Sequence, residues 1–231
     1  MFRVLKLKPI LITIALIALS ITLSVGLVAV SNNKVPKTTY TIVIDAGHGG
    51  RDDGCTGING TKESFINLSI ARSLKTYLET LGINVVMTRY DSNGLYDANA
   101  TNFKLSDMEN RIKIIKENNP DMVISIHQNS FADKTLMGAQ AFYQEDNEQS
   151  KKFAEAIQSQ LINQLENARS EANYGDYYLL KESNASAVLI ECGYLTNPEE
   201  EQKLNDKDYQ NKVAYTIMCG IVKYLSLCGN D

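Results

Sequence analysis

Between residues 40 and 227 the chain alternates short apolar runs rich in β-branched residues with longer stretches in which apolar residues recur at helical spacing. Alternating strands and amphipathic helices are typical of a mostly parallel sheet with helices on both faces. Strands are predicted at residues 40–45, 83–88, 122–126, 139–143, 177–180 and 187–190. We therefore predict one α/β domain over residues 40–227, a three-layer sandwich around a mostly parallel six-stranded sheet flanked by helices.

The helical stretches carry start and stop signals. Residues 64–81 place their apolar side chains on one stripe, and Gly82 favours the end of that helix. Ser106 and Glu109 have the spacing of a capping box, which predicts that the next helix opens at Ser106. Further helices are predicted at residues 148–168, at residues 208–225 and after an N-cap at Asn197.

Residues 1–31 differ in composition from the rest of the chain. Three basic residues precede an uncharged, mostly apolar stretch over residues 9–30, close to the length that crosses a bilayer core. This segment predicts export, either as a cleaved signal peptide or as an uncleaved N-terminal membrane anchor, and residues 32–39 form a polar linker. The basic flank is expected to stay in the cytoplasm, which places the following domain outside the membrane.

The charge of the exported part disfavours nucleic acid as a partner. The chain has 23 Lys and Arg against 27 Asp and Glu, and three of the basic residues precede residue 31, so 20 basic residues remain against 27 acidic ones, a net charge of −7. A net negative surface repels the phosphate backbone.

The chain contains only two histidines, His48 and His127, and each comes at the end of an apolar β-type run. Because ligands collect beyond the carboxyl ends of parallel strands, both imidazoles are expected at one crevice. Glu63, at the start of a predicted helix, belongs to the same edge of the sheet. Taken singly, His48 is explained by an exposed glycine-rich turn and Glu63 by the helix macrodipole. Together, two imidazoles and a carboxylate form the ligand set of catalytic zinc.

Glu191 directly continues the apolar run at residues 187–190. A carboxylate at the end of a buried strand costs free energy unless it is paired, bound to a metal or protonated. This position favours a general base. A salt bridge or a helix cap is the alternative, but Asn197 already supplies a cap for the helix that follows.

Four motifs in order, IDAGHGG, the glutamate of KES, ISIHQN and IECGYLTN, resemble the zinc-dependent N-acetylmuramoyl-L-alanine amidases of the type-3 amidase family. The resemblance implies that His48, Glu63 and His127 bind Zn²⁺ and that Glu191 is the catalytic glutamate. It also implies a zinc-exopeptidase-like α/β sandwich. The implied reaction is hydrolysis of the amide bond between N-acetylmuramic acid and L-alanine in peptidoglycan.

The exported single domain is most similar to the germination-specific, CwlD-like branch of that family. This likeness implies a part in spore cortex maturation, where muramic-δ-lactam is formed, and a location in the spore intermembrane space. It also implies a lipoprotein as a possible activating partner.

Four further residues are given weaker roles. Asp45 and Asn129 belong to the same motifs as the histidines, and we interpret them as groups that orient the metal-bound rings. Arg111 and Arg169 are candidates for binding peptide carboxylates or glycan, although a solvated surface arginine is the simpler explanation for each.

Two functions from other classes stay open. A zinc exopeptidase acting on free peptides would share the fold and the metal. A catalytically silent wall-binding protein would tolerate the loss of Glu191. The presence of both histidines and both motif carboxylates favours an enzyme.

Overall fold

The structure, a computed structural model, describes residues 39–228. The predicted export segment at residues 1–31 and nearly all of the predicted linker lie outside the described residues. Between residues 39 and 228, no helix is both long and apolar enough to cross a membrane. The strands are β1 (Thr41–Ala46), β2 (Asn84–Met87), β3 (Met122–Asn129), β4 (Gln140–Tyr143), β5 (Asn173–Tyr174) and β6 (Ser186–Tyr194). The helices are α1 (Glu63–Thr80), α2 (Phe103–Asn118), α3 (Glu148–Gln164), α4 (Tyr178–Glu182), α5 (Pro198–Asn205) and α6 (Lys207–Cys228).

The six strands form one sheet in the order β2-β1-β3-β6-β4-β5. β1 is parallel to β2 and β3, and β3 is parallel to β6. β4 is antiparallel to β6 and parallel to β5. The prediction of a mostly parallel six-stranded sheet flanked by helices is confirmed.

Alternate residues of the central strands enter two separate cores. In β1, Ile42 and Ile44 pack with α1, α3 and α6 on one face of the sheet, whereas Val43 packs with α2 and α4 on the other. Successive side chains of a strand point to opposite faces, so a run that is apolar at every position buries both faces. This is why the apolar runs become central strands with helices on each side.

The ends of two helices test the predicted signals. α1 ends as expected, with Gly82 at a φ of +75° directly beyond its C-cap. The prediction that α2 opens at Ser106 is wrong. Asn102 is its N-cap, accepting a hydrogen bond from the Leu105 amide at 3.1 Å. The Ser106 hydroxyl instead accepts from the Asp97 amide at 3.0 Å, so it fastens the preceding loop to the helix.

The predicted strand at residues 177–180 is also wrong, because this segment leads into the short helix α4. The adjacent residues Leu179 and Leu180 are both buried in the smaller core. Neighbouring residues on a strand would point to opposite faces, whereas a helical turn can bury both. The sixth strand is the two-residue β5, which pairs with β4 at the edge of the sheet.

The carboxyl ends of β1, β3 and β6 lie at one edge of the sheet, because these strands run parallel. His48 follows β1, and His127 of β3 stands directly opposite Glu191 of β6 in the strand register. Glu63, the first residue of α1, contacts His127 at this edge. The fold therefore brings the four motif residues to one place.

Candidate metal centre

His48 lies in a left-handed turn directly after β1. Its φ is +60°, and the next two residues, Gly49 and Gly50, have φ values of +137° and +63°. A left-handed backbone is unfavourable for a residue with a side chain, so its surroundings must hold it. Arg111 Nη2 donates to the His48 carbonyl at 2.7 Å, and Asp52 Oδ2 lies 2.8 Å from His48 Nδ1. The Asp52 contact leaves His48 Nε2 facing the rest of the cluster.

Glu63 is buried and lies between the two imidazole rings. Its Oε1 is 3.3 Å from His48 Nε2 and 3.0 Å from His127 Nδ1. The backbone amides of Gln128 and Cys55 donate to Oε1 and Oε2, at 3.0 and 2.8 Å. Burial raises the pKa of Glu63, but the hydrogen bonds to both histidines outweigh it and hold this pKa far below its ordinary value. Glu63 is therefore an anion throughout the neutral range.

One ligand atom from each of His48, Glu63 and His127 lies within 4.8 Å of the other two. The two rings stand edge to face, with centroids 4.9 Å apart. Burial lowers the pKa of His48, but Glu63 and Asp52 outweigh this effect and raise it to about 9. The cluster thus favours positive charge. Its donor set suits a divalent metal ion with a preference for imidazole nitrogen.

Glu191 is a second buried carboxylate beside this cluster, with 8% of its surface exposed. Its Oε2 has no hydrogen-bond partner among the described residues. Burial raises the pKa of Glu191 to about 7, Glu63 adds to the rise, and the two histidines oppose it. A carboxyl group with a pKa near neutrality can both accept and return a proton at neutral pH.

The four side chains line one cavity of about 480 Å³. The cavity is also lined by side chains of α2 and of the start of α4: the aromatic Phe103, Tyr177 and Tyr178, the apolar Met108 and the cationic Lys104. The cavity therefore combines a cluster whose donor atoms could hold a metal ion with a buried carboxyl group of raised pKa.

Residues 42–223 match the family model for N-acetylmuramoyl-L-alanine amidase. The chain belongs to the N-acetylmuramoyl-L-alanine amidase family. One relative is the germination-specific N-acetylmuramoyl-L-alanine amidase of Bacillus subtilis, which is 33% identical over 200 residues, 85% of this chain and 84% of that protein.

Solved amidase structures share the fold. The CwlD amidase from Clostridioides difficile, in complex with the GerS lipoprotein, is 38% identical with a TM-score of 0.78, over 81% of this chain and 99% of that one. The catalytic domain of CwlV from Bacillus (Paenibacillus) polymyxa var. colistinus is 32% identical with a TM-score of 0.72, over 81% and 98%. The resemblance to the type-3 amidases is confirmed, including the likeness to the CwlD-like branch.

Two residues of the amidase motifs have partners other than the predicted histidines. Asp45 lies beneath the His48 turn, where three buried side chains donate to it. Burial raises the pKa of Asp45, but Arg111 outweighs it and the pKa falls to about 2. The Asn129 side chain accepts from the next backbone amide. Asp52 is the carboxylate that contacts His48 Nδ1, which the sequence analysis missed; its closeness to His48 in the chain, four residues later, was the one signal for it.

The two arginines proposed for substrate contact differ in their position relative to the cavity. Arg111 is 1% exposed, and its guanidinium donates to Asp45, Asp107 and the carbonyl of His48. It therefore supports the histidine turn from within the protein. Arg111 also lines the cavity, so its contact with substrate stays a prediction. Arg169 is exposed and is not among the residues that line the cavity.

Proposed function

We propose that this amidase hydrolyses the amide bond between N-acetylmuramic acid and L-alanine in peptidoglycan, with Zn²⁺ as its cofactor. The observation that carries the proposal is the position of the unpartnered Glu191 carboxylate beside the His48, Glu63 and His127 cluster in one cavity. These three residues would hold the ion. When bound, zinc supplies a Lewis acid that polarises the scissile carbonyl and acidifies water.

The ligand atoms support zinc over the harder cations. Magnesium and calcium favour oxygen ligands, whereas two of the three ligand atoms here are imidazole nitrogens. The hydrogen bond from the Cys55 amide to Glu63 Oε2 leaves Oε1 as the carboxylate oxygen that faces both rings. His48 is oriented by Asp52 in the way that metal-bound histidines are commonly oriented by a carboxylate.

Glu191 supplies the proton transfers. Its carboxylate accepts a proton from the attacking water as the new carbon–oxygen bond forms at the lactyl carbonyl. It then donates that proton to the leaving nitrogen as the carbon–nitrogen bond breaks, which releases the stem peptide with a free N-terminal alanine. A pKa of about 7 matches this double task, because general acid–base catalysis is most effective when the pKa lies near the working pH.

The names of the similar proteins support a biological setting. The Bacillus subtilis relative is described as germination-specific, which supports a role of this chain in germination. Within that role we propose that it acts in spore cortex maturation, where muramic-δ-lactam is formed. We propose that the enzyme acts outside the cytoplasm, in the spore intermembrane space. In this proposal residues 1–31 are a signal peptide or membrane anchor, residues 32–39 are a linker and residues 40–227 are the catalytic domain. Because the CwlD structure contains a lipoprotein, we propose a lipoprotein partner for this chain too.

The test uses the full-length chain, purified in mild detergent and stripped of metal, with purified peptidoglycan as substrate. We expect stem peptides with new N-terminal alanine to appear only after zinc is added. Glu191→Gln is the matched variant, and we expect it to bind zinc without releasing peptide.

The other outcomes separate the remaining functions. If free peptides are cleaved while the stem peptides linked to glycan stay intact, an exopeptidase is favoured. Release by Glu191→Gln at the parent rate would refute the assigned mechanism. Wall binding without release, with zinc bound and the lipoprotein partner supplied, would favour the silent wall-binding protein.

A further inference from the structure

One buried amide contacts all three chain segments that carry the candidate ligands. Asn67 lies on α1, one turn after Glu63, and is fully buried. Its Nδ2 donates to the Gly47 carbonyl at 3.1 Å and to Glu63 Oε1 at 3.2 Å. Its Oδ1 accepts from Gln128 Nε2 at 3.1 Å. Gly47 and Gln128 are the chain neighbours of the two histidines, so the amide links the β1 turn, α1 and β3.

The side-chain chemistry at this position is specific. A primary amide has two N–H donors and one carbonyl acceptor, and Asn67 uses each of the three on a different segment. A carboxylate has no donor to offer, and a hydroxyl has one. Asparagine therefore meets the requirements of this buried position, whereas aspartate and serine do not.

We infer that Asn67 is a positioning residue that sets the three metal ligands relative to one another. The inference rests on the proposed zinc site. Asn67 contacts one ligand directly, through Glu63 Oε1, and the two histidines only through their chain neighbours, Gly47 and Gln128. Its predicted role is therefore to fix the distances between the three ligand-bearing segments.

Neighbouring contacts join fewer of these segments. Arg89 Nη2 donates to the carbonyls of Gly47 and Ser64, which joins the β1 turn to the start of α1. The backbone amide of Gln128 donates to Glu63 Oε1, which joins β3 to α1. The Gly47 amide donates to Ile126, which joins the turn to β3. Each of these contacts joins two segments, whereas the single side chain of Asn67 contacts all three. Its loss is therefore expected to loosen the relative placement of the ligands without removing any of them.

The expected effect is on metal affinity. Three ligands from distant parts of a chain bind well only when the fold holds them at the right separation. Loss of a residue that orients metal ligands typically weakens metal binding by about 10–100-fold. We expect Asn67→Ala to fall in this range.

The experiment measures zinc affinity of the full-length chain by competition with a chromogenic chelator. The visible absorption of the Co²⁺ form provides a spectroscopic signature of ligand geometry. Asn110→Ala is the matched control, because Asn110 also donates from its side chain to a backbone carbonyl, that of Leu95 at 2.7 Å, but on α2 and without contact to the cluster. We expect the Asn67 variant to bind zinc more weakly and to change the Co²⁺ spectrum, and the control to do neither.

A second variant covers the case in which Asn67→Ala fails to fold. Gln128→Met removes the donor to Asn67 Oδ1, together with a side-chain hydrogen bond to Cys192, and the backbone amide of residue 128 still donates to Glu63. We expect a smaller loss of zinc affinity than for Asn67→Ala, and no additional loss when the two are combined. Because the two side chains act in one contact, their effects should not add.

The result that overturns the inference is parental zinc affinity and an unchanged Co²⁺ spectrum in Gln128→Met and in any folded Asn67→Ala protein. Lower unfolding temperature alone would then show that Asn67 only stabilises the fold. If the parent binds no zinc, the proposed cofactor and this inference both fail. If the parent binds zinc but releases no stem peptide with the lipoprotein partner supplied, the proposed reaction fails while the positioning role stands.

Discussion

Glu63 and Glu191 line the same cavity, but their surroundings shift the pKa of the two carboxyl groups in opposite directions. Around Glu63, two histidines and two backbone amides converge on the carboxylate, and its pKa is far below the ordinary value. Around Glu191, one carboxylate oxygen has no partner among the described residues, and burial raises the pKa to about 7. Burial acts in the same direction on both, so the difference arises from the hydrogen-bond donors and nearby charges.

This contrast separates two chemical tasks within one site. A carboxylate that stays ionised and is surrounded by donors is suited to hold a cation with the histidines. A carboxylate that ionises near neutral pH is suited to move protons. The same substitution at the two positions should therefore fail in two different ways.

Glu63→Gln is expected to have the largest effect. Glutamine keeps the size of the side chain but removes the anionic oxygen between His48 and His127. We expect zinc affinity to fall by more than about 100-fold, beyond the loss for an orienting residue, and stem-peptide release to fall with it. Chelator competition and the zinc-dependent rise in unfolding temperature measure this effect. An unchanged zinc-dependent rise would contradict the ligand role of Glu63.

Glu191→Gln makes the same substitution at the second carboxylate and should remove proton transfer while zinc binding is kept. We expect zinc affinity close to that of the parent and a loss of about 10²–10⁴-fold in kcat, the usual contribution of a positioned general base. The measurement is kcat on zinc-saturated enzyme with a soluble muramyl-peptide. Equal loss of zinc affinity in the two variants would indicate that both carboxylates bind the metal, and would contradict their separate roles.

The pH dependence of stability provides a third test of the contrast, in metal-free protein. The folded pKa of Glu191, about 7, lies above its ordinary value of 4.5, so between these pH values the folded state binds more protons than the unfolded state. The contribution of this group to stability is therefore present at low pH and is lost as pH rises through 7. A difference of this size corresponds to about 3 kcal/mol.

Urea unfolding of parent and Glu191→Gln at pH 4.5 and pH 8 isolates this contribution, since the other groups titrate in both proteins. We expect the parent to lose about 2–3 kcal/mol more than the variant between these pH values. Equal losses would indicate that Glu191 has an ordinary pKa and is not poised for proton transfer.

The sequence predicts well which residues meet at the edge of the sheet, but it predicts poorly the side-chain hydrogen bonds around them. Apolar runs with β-branched residues fix β1, β3 and β6, and parallel strands bring His48, His127 and Glu191 to one edge whatever the loops do. Glu63 follows from the same logic, because a helix after β1 starts at that edge. These predictions depend on periodicity and on the direction of strands.

Asp52 and Asn67 show what such patterns miss. Asp52 contacts His48 across a turn in which three successive residues have positive φ, and no hydrophobic periodicity encodes such a turn. Asn67 falls on a helix where a buried polar residue has no motif of its own, and its partners are 20 and 61 residues away in the chain. The error at α4 has a similar origin, since a short apolar run does not distinguish a strand from a helical turn.

Asp52→Asn has a smaller expected effect and tests whether a third carboxylate belongs with Glu63. The contact between Asp52 Oδ2 and His48 Nδ1, at 2.8 Å, orients the ring without touching the cluster centre. We expect zinc affinity to weaken by about 10-fold, at the low end for residues that orient a ligand, with kcat recovered at saturating zinc. Zinc titration of activity separates the two quantities, and a kcat that stays low at saturating zinc would give Asp52 a different role.

The smallest effect is expected for two basic side chains, Lys104 and Arg169, that differ in their position relative to the cavity. Lys104 lines the cavity and lies 3.5 Å from Asp52, with 66% of its side chain exposed, whereas Arg169 is exposed and does not line the cavity. For stem peptides that carry a free carboxylate, Lys104→Gln should raise KM about two- to fivefold, the range of an exposed charge pair, without changing kcat. Arg169→Gln should leave both constants unchanged, since its side chain does not line this cavity. A larger rise in KM for Arg169→Gln than for Lys104→Gln would show that the substrate extends beyond this cavity toward β4, and would support the predicted role of Arg169 in substrate binding.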